Sequence, residues 1–385
     1  MKVNLIALNP FTNDARVHKT ARTLVSAGYE VVVTALWKDG LAENELSSGY
    51  RIIRIKLRDY KGWGGAISLI AKYFEFAWKV WRLAEKDHAT IYHAYDANTL
   101  PAAWMAARRT RSKLVYDARE LETGRNFSAS HLPGIIRRFW ALPEKLFIQQ
   151  AAAIIVTSQS HANELIRLYR IPAPWLVKNC PEMYSLGKSN RIREELAIPD
   201  SDKIVLYQGR IAPGRGIENL FKAIQPLPHI VVVALGDGPS LDDLRYRATQ
   251  GEWQRVFLPG KVPLEELLSY TSSADVGSVL IEDICLSYRL SLPNKLFEYI
   301  QAGLPVIGSN LPEIASVILE HEIGEVINPE NIPDITRAIS RLLDDPFRYH
   351  EIHSNVQRAA QLYNWENESK KLLQAYSSIA QEMIL

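Results

Sequence analysis

Ser291-Leu292-Pro293-Asn294-Lys295-Leu296-Phe297-Glu298-Tyr299-Ile300-Gln301-Ala302-Gly303-Leu304-Pro305-Val306-Ile307 reads as a helix followed at once by a short apolar strand. A proline in the first turn opens the helix and Gly303 closes it. At about 100° per residue, Leu296, Phe297 and Ile300 share one face, and Asn294, Lys295 and Glu298 share the opposite one. A cation, an amide and a carboxylate are thus gathered at a helix start, where free N–H groups and the dipole favour an anion. In such a site phosphate meets Lys295 and the helix terminus, while Glu298, one turn further in, accepts hydrogen bonds from hydroxyls. A solvated polar face on an ordinary amphipathic helix has the same spacing, so the stretch alone leaves both readings open.

Outward from this stretch, strand-like and helix-like segments alternate twice over, which argues for two parallel α/β sheets. The first half offers strands at Val3–Leu8, Val31–Ala35, Ile52–Ile55, Ile91–His93, Lys113–Tyr116 and Ile154–Thr157, with helices at Ala15–Ala27 and Ala66–Lys86. The second runs from Lys203–Gln208 through Ile230–Ala234, Arg255–Leu258 and Val276–Leu280 to Val306–Ile307. The proline-rich stretch Ile171–Pro174 and Asn179-Cys180-Pro181 punctuate the chain between them. At 385 residues the chain exceeds the roughly 250–300 at which a single core stops growing. We expect domains over 1–185 and 186–365, and a last helix, about 366–385, with Leu372, Leu373, Tyr376 and Ile379 at helical spacing.

Composition excludes several classes. Hydrophobic residues at 47% and charged residues at 23% fit a soluble globular protein, and a net charge of +2 gives no case for nucleic acid. Cys180 and Cys285 are too few for a disulfide framework and lack metal-site spacing. Met1-Lys2 runs into a strand too short for a signal-peptide core, and no apolar run approaches the roughly 18–20 residues that span a bilayer. A cytoplasmic place is expected.

Several turns gather chemistry. Gly209-Arg210-Ile211-Ala212-Pro213-Gly214-Arg215-Gly216 sets two arginines on a glycine-rich turn between a strand and a helix, where backbone approaches a ligand closely and guanidinium groups bind phosphate in pairs of hydrogen bonds. Gly236-Asp237-Gly238-Pro239 ends an apolar strand, as a ligand-facing turn does, but lacks the third glycine of a dinucleotide fingerprint. In the first half, Asn13-Asp14-Ala15-Arg16 follows the first strand with Asp14 as candidate N-cap, and His93-Ala94-Tyr95-Asp96 and Asp117-Ala118-Arg119-Glu120-Leu121-Glu122 close later strands. Caps and ion pairs explain these carboxylates as well as chemistry does. Aromatics and cations crowd Tyr60–Trp63 and Lys72–Arg82, and again Ile135–Trp140. These segments suit either a membrane interface or core packing with snorkelling cations, and we read Phe74, Trp78 and Trp81 as core.

The motif helix resembles the donor-binding helix of GT-B glycosyltransferases, in particular family 4, the retaining enzymes that use nucleotide sugars. Glu298 and Gly303-Leu304-Pro305-Val306 match the second half of the family's paired-glutamate segment, whereas Leu290 occupies its first glutamate position. The Gly209–Gly216 turn resembles the family's diphosphate-binding segment, with Arg215 where lysine is usual. The resemblance implies two Rossmann-like domains facing across a cleft, with the C-terminal helix crossing back to the first. It implies donor binding by Gly209, Arg210, Arg215, Gly236, Val262, Asn294, Lys295 and Glu298 in the second domain. Acceptor binding is expected of Asn13, Asp14, Arg16, His93 and Asp96 in the first, with Asp117 and Glu120 nearest the reacting sugar. Three cations at the diphosphate imply catalysis without a metal or other cofactor. The donor is a nucleotide-diphosphate sugar, and the acceptor a glycan, a lipid-linked molecule or a small molecule. Peripheral contact of the first domain with the inner face of the cell membrane would fit a lipid-linked acceptor. An epimerase-like enzyme using Glu282 and Asp283, or a non-catalytic binding protein, are the alternatives.

Overall fold

The computed structural model describes residues 1–60, 65–121, 124, 141–184 and 187–384. It divides into two compact units: Met1–Lys178 together with Ser369–Leu385, and Asn179–Glu368. Lys61–Trp63, Glu122 and Ile135–Trp140, singled out above, lie outside the described residues.

The first unit runs β1 (Lys2–Ile6), α1 (Ala15–Ser26), β2 (Glu30–Leu36), β3 (Asn44–Ser47), β4 (Tyr50–Ile55), α2 (Gly65–Asp87), β5 (Ile91–Tyr95), α3 (Leu100–Thr110) and β6 (Lys113–Ala118). It continues with α4 over residues 141–147, β7 (Ala153–Val156), α5 (Gln159–Tyr169) and β8 (Trp175–Leu176). Among the described residues the sheet has eight strands in the order β3-β4-β2-β1-β5-β6-β7-β8. All pairs are parallel except β3 with β4, a short hairpin that the alternation of apolar runs did not reveal. Strands β5 and β7 are buried along their whole length, which is why they read as unbroken apolar runs. Asp14 caps α1 by accepting from Val17 N–H, and Ser158 caps α5 by accepting from His161 N–H. On α2, Tyr73, Phe76, Val80 and Ala84 face the core, whereas Phe74 and Trp78 are exposed, contrary to the core reading of these two. The buried row falls three to four residues apart, and Phe74 and Trp78 sit on the other side of the helix.

The second unit contains α6 (Arg191–Leu196), β9 (Lys203–Arg210), α7 (Ile217–Ala223), β10 (Ile230–Asp237), α8 (Leu241–Thr249), β11 (Val256–Gly260), α9 (Leu267–Thr271), β12 (Val276–Val279), α10 (Leu286–Arg289) and α11 (Asn294–Gln301). Then follow β13 (Val306–Ser309), α12 (Pro312–Glu320), β14 (Gly324–Ile327), α13 (Ile332–Leu343), α14 (Pro346–Leu362) and the start of α15 (Trp365–Ile384). Among the described residues its sheet has six strands, all parallel, ordered β11-β10-β9-β12-β13-β14. Pro293 is the N-cap of α11 and not a residue of its first turn, and Gly303 follows the helix with φ +78°. From Ser369 onward α15 belongs to the first unit, where Leu372, Tyr376 and Ile379 are buried and the Tyr376 hydroxyl lies 2.7 Å from His93 Nδ1.

Strand order reverses between β1 and β5 in one sheet and between β9 and β12 in the other. Ligands of open parallel sheets bind beyond the strand C-termini at such points. Of the residues named from sequence, Asn13 and Asp14 follow β1, Asp96 follows β5 and Arg215 follows β9, while Gly209 and Arg210 end β9 itself. Among the described residues, no helix is long and apolar enough to cross a membrane, and no group of three or more His, Cys, Asp or Glu side chains is placed to hold a metal.

Candidate functional site

In the second unit the site is built around Gly209, the penultimate residue of β9, with φ +116°. Lys295, in the first turn of α11, reaches back over it: a Cβ added to Gly209 would stand 3.6 Å from the Lys295 amine. That amine sits 3.6 Å from the centroid of the Tyr207 ring. Lys295 is buried, not solvated, so the opposite face of α11 is not an ordinary polar surface. Burial and the neighbouring Arg215 charge hold its pKa well below the usual lysine range, with Glu298 opposing them. A buried lysine beside the charge of a half-buried arginine marks a place prepared for an anion.

Arg215 comes from the turn after β9, its guanidinium 4.3 Å from the Tyr288 ring centroid. Its Nε is buried and has no hydrogen-bond partner among the described residues. Glycines make this turn possible. A Cβ on Gly216 (φ +66°) would stand 2.3 Å from the Leu280 carbonyl oxygen, and one on Gly236 (φ +151°) 1.8 Å from that of Gly209. Gly236 pairs with Gly209 and Asp237 with Arg210 in the sheet, which brings the two glycine turns side by side. Arg210 is exposed at the end of β9.

Glu298 is half-buried and accepts from the Gln208 side-chain amide, whose oxygen takes a 2.8 Å hydrogen bond from Thr271 Oγ1. One residue on, the buried Tyr299 hydroxyl accepts from Gln208 N–H (3.0 Å) and donates towards the Leu206 carbonyl (3.1 Å). It thereby pins α11 to β9. Gly277 of β12 leaves room for that ring, since a Cβ there would stand 2.4 Å from it. Asn294 is exposed at the start of α11. Val262 is half-buried two residues past β11 and packs on the core. Leu290 caps the C-terminus of α10. Nearby, Asp283 is paired with Arg289 at 2.8 Å, and Glu282 takes a hydrogen bond from Gly216 N–H. Next to this loop a cavity of about 390 Å³ is lined by Asp283, Arg289, Asn310, Asn328 and Glu330 among others.

In the first unit the structure sorts the named residues into two groups. Arg16 is 2% exposed and donates to Asp117 through Nε (2.7 Å) and Nη2 (3.1 Å), and to the Val177 carbonyl through Nη1 (3.1 Å). Asp117 is 1% exposed, its carboxyl pushed up by burial against the pull of Arg16. His93 is fully buried, 3.9 Å from Asp117, and burial holds it well below the usual histidine range. These three are packed polar groups that fix the strand ends. The reading of Arg16 as an acceptor contact and of Asp117 as a reacting group conflicts with this burial, because the two are spent on each other and on the Val177 carbonyl, whereas His93 is buried with Nδ1 on the Tyr376 hydroxyl and Nε2 without a hydrogen-bond partner among the described residues.

The second group is half-buried. Asp14 and Asp96 converge on Arg119, which sequence reading quoted without singling out: Arg119 Nη1 lies 3.0 Å from Asp14, and its Nη2 pairs with Asp96 at 2.5 Å. Burial pushes the Asp14 carboxyl up, but Arg119 and Asn9 outweigh it and leave it lowered. Asp96 has φ +64°, in the left-handed region, at the end of β5. Asn13 and Glu120 are exposed beside this cluster in sequence. His161, at the start of α5, is buried with Nε2 unpartnered among the described residues, and burial lowers it to about 4.

Comparison with known proteins gives these two units a family. Residues 188–361 match the family model described as glycosyl transferases group 1, and residues 14–178 match that of the glycosyl transferase 4-like domain. An uncharacterized glycosyltransferase of Methanocaldococcus jannaschii is 24% identical over 94% of this chain and 93% of its own. D-inositol 3-phosphate glycosyltransferase of Mycolicibacterium smegmatis is 25% identical over 76% of this chain and 68% of its own. Among solved structures, sucrose-phosphate synthase of Thermosynechococcus elongatus superposes with a TM-score of 0.84 at 20% identity, over 99% of this chain and 100% of that one. HepE of Anabaena, in complex with UDP-glucose, gives 0.76 at 15% identity over 98% and 100%. With both units matched in turn and the fold shared end to end, the chain belongs to the family 4 type of GT-B glycosyltransferases.

Proposed function

We propose that the protein transfers a sugar from a nucleotide-diphosphate donor to a hydroxyl of a glycan, lipid-linked or small-molecule acceptor, with retention of configuration and without a metal. The observation that carries this reading is the Lys295 amine held over the bare backbone of Gly209, with the Arg215 charge beside that amine and the buried Arg215 Nε left unpartnered among the described residues. The donor diphosphate would lie there, with Arg210 completing its charge balance. The HepE structures hold UDP-glucose and UDP, which supports a uridine nucleotide as the first donor to try.

In the proposed step the bond from the sugar's anomeric carbon to the phosphate oxygen breaks, and one to the acceptor oxygen forms on the same face. The acceptor's proton passes to the departing phosphate. Arg210, Arg215 and Lys295 stabilise the charge that develops on the diphosphate, a role that fixed cations in a water-poor site perform well. Such a transfer needs no base from Asp117, which is consistent with its engagement by Arg16. Glu120 is the exposed carboxylate at that strand end. The half-buried cluster of Asp14, Asp96 and Arg119 supports hydroxyl recognition by the first unit. A cytoplasmic place, peripheral at the inner membrane face, belongs to the same proposal. The epimerase alternative finds less support, since Asp283 is tied to Arg289.

The test is incubation of the purified protein with a panel of nucleotide sugars in EDTA, reading nucleoside diphosphate release and the anomeric configuration of any product. Release from one donor, with an α-product from an α-donor, is expected. Turnover that requires added magnesium or manganese, or an inverted product, would refute that part of the proposal.

A further inference from the structure

The exposed side of α2 is apolar over about three turns. Ile67, Ile70, Phe74 and Trp78 follow one another at helical spacing, and Phe74 and Trp78 are 61% and 44% exposed. The patch continues across neighbouring elements of the first unit. Arg109 of α3 stands 5.5 Å over the Trp81 ring, and Trp104 of α3 packs on Phe147 at the end of α4, 4.5 Å between centroids. Leu142 and Leu146 of α4 are exposed as well. Single exposed apolar side chains are ordinary, but a contiguous set of this size marks an interaction surface.

The charges say which kind. Three arginines lie over three tryptophans: Arg82 over Trp78 at 4.9 Å, Arg109 over Trp81, and Arg108 over Trp104 at 5.6 Å. The exposed cations of α2 and α3 are Arg82, Lys86, Arg108 and Arg109, and the one exposed carboxylate among the described residues of these helices, Glu85, pairs with Arg109 at 2.6 Å, which leaves three cations in excess. A second copy docked through the same patch would set these cations against themselves. An anionic lipid surface neutralises them, takes the tryptophans at headgroup depth and covers the apolar row.

We infer that the α2–α3–α4 face of the first unit is a docking surface for an anionic bilayer, lying on the membrane and not spanning it. This deepens the peripheral placement proposed above by naming the surface, and it is independent of the donor chemistry. Its test is co-sedimentation of the full chain with vesicles of phosphatidylcholine containing about one third phosphatidylglycerol, against phosphatidylcholine alone, with tryptophan emission as second readout. Binding to the anionic vesicles, with a blue shift and steep loss on adding salt, is expected. Phe74→Glu with Trp78→Glu should weaken partition at least about tenfold, and each of Arg82→Ala, Arg108→Ala and Arg109→Ala about fivefold. Circular dichroism and the thermal shift given by a nucleoside diphosphate should be unchanged in these variants, so a failure here is separable from a failure of the donor reading. No binding of the unaltered protein at low salt would overturn the inference. Equal binding by the variants would do the same, as would a dimer that Phe74→Glu dissolves.

Discussion

Lys295→Met separates a ligand-binding cation from a structural one, because the two roles predict opposite effects on folding. The methionine keeps the length and apolar stem of the side chain and removes its charge. In the free protein the ammonium is buried beside the Arg215 charge, and its pKa lies well below the usual 10.5. For a base with a depressed folded-state pKa, the unfolded chain binds more protons between the folded value and 10.5, so stability rises with pH through that window. Removing the charge abolishes this penalty and forfeits the contact with Tyr207, worth about 2 kcal/mol when desolvated. The melting temperature should therefore hold or rise. Nucleoside diphosphate affinity should fall, because a charged hydrogen bond of about 1.5–3 kcal/mol corresponds to a loss of about 10- to 150-fold. Unchanged affinity in Lys295→Met, or a large loss of stability without loss of binding, would refute the assignment.

Other outcomes follow from the same geometry. Gly236→Ala places a Cβ 1.8 Å from the Gly209 carbonyl at φ +151° and should cost about 2–4 kcal/mol in denaturant titrations, together with nucleotide binding. Arg16→Met strands the buried Asp117 carboxylate and should destabilise by about 3–5 kcal/mol, part of it recovered by adding Asp117→Asn; wild-type stability would mean that the pair is not structural. His161 is lowered to about 4, so the unfolded state binds its proton first and stability should fall as pH drops from 6.5 towards 4, with no further loss from this group below that. In His161→Phe thermal melts that decline should be shallower, and an unchanged pH profile would count against the burial argument.

Much of the fold was legible because parallel strands buried on both faces leave unbroken apolar runs, and β9, β10 and β13 read so directly. The glycine turns were legible for the same kind of reason: only glycine fits where backbone meets backbone. The hairpin strand β3 has an almost wholly exposed pattern and left no apolar signal. Helix spacing put Lys295 on a polar face, but periodicity cannot say that β9 lies against that face and buries it. The pairing of Arg16 with Asp117 joins residues 101 apart, and no local pattern encodes it. Phe74 and Trp78 were misplaced because aromatic residues at helical spacing are core residues more often than surface ones, and only the register of α2 on its sheet decides between the two faces.

The central claim is that the donor diphosphate is held by the second unit at Gly209, Arg215 and Lys295. A crystal structure of the protein with the nucleoside diphosphate that stabilises it most tests this directly. The account predicts phosphate oxygens within hydrogen-bonding distance of the Lys295 amine and the Arg215 guanidinium, above the Gly209 backbone. A diphosphate bound elsewhere, with Lys295 still packed against Tyr207 and Arg215 Nε still unpartnered, would contradict it.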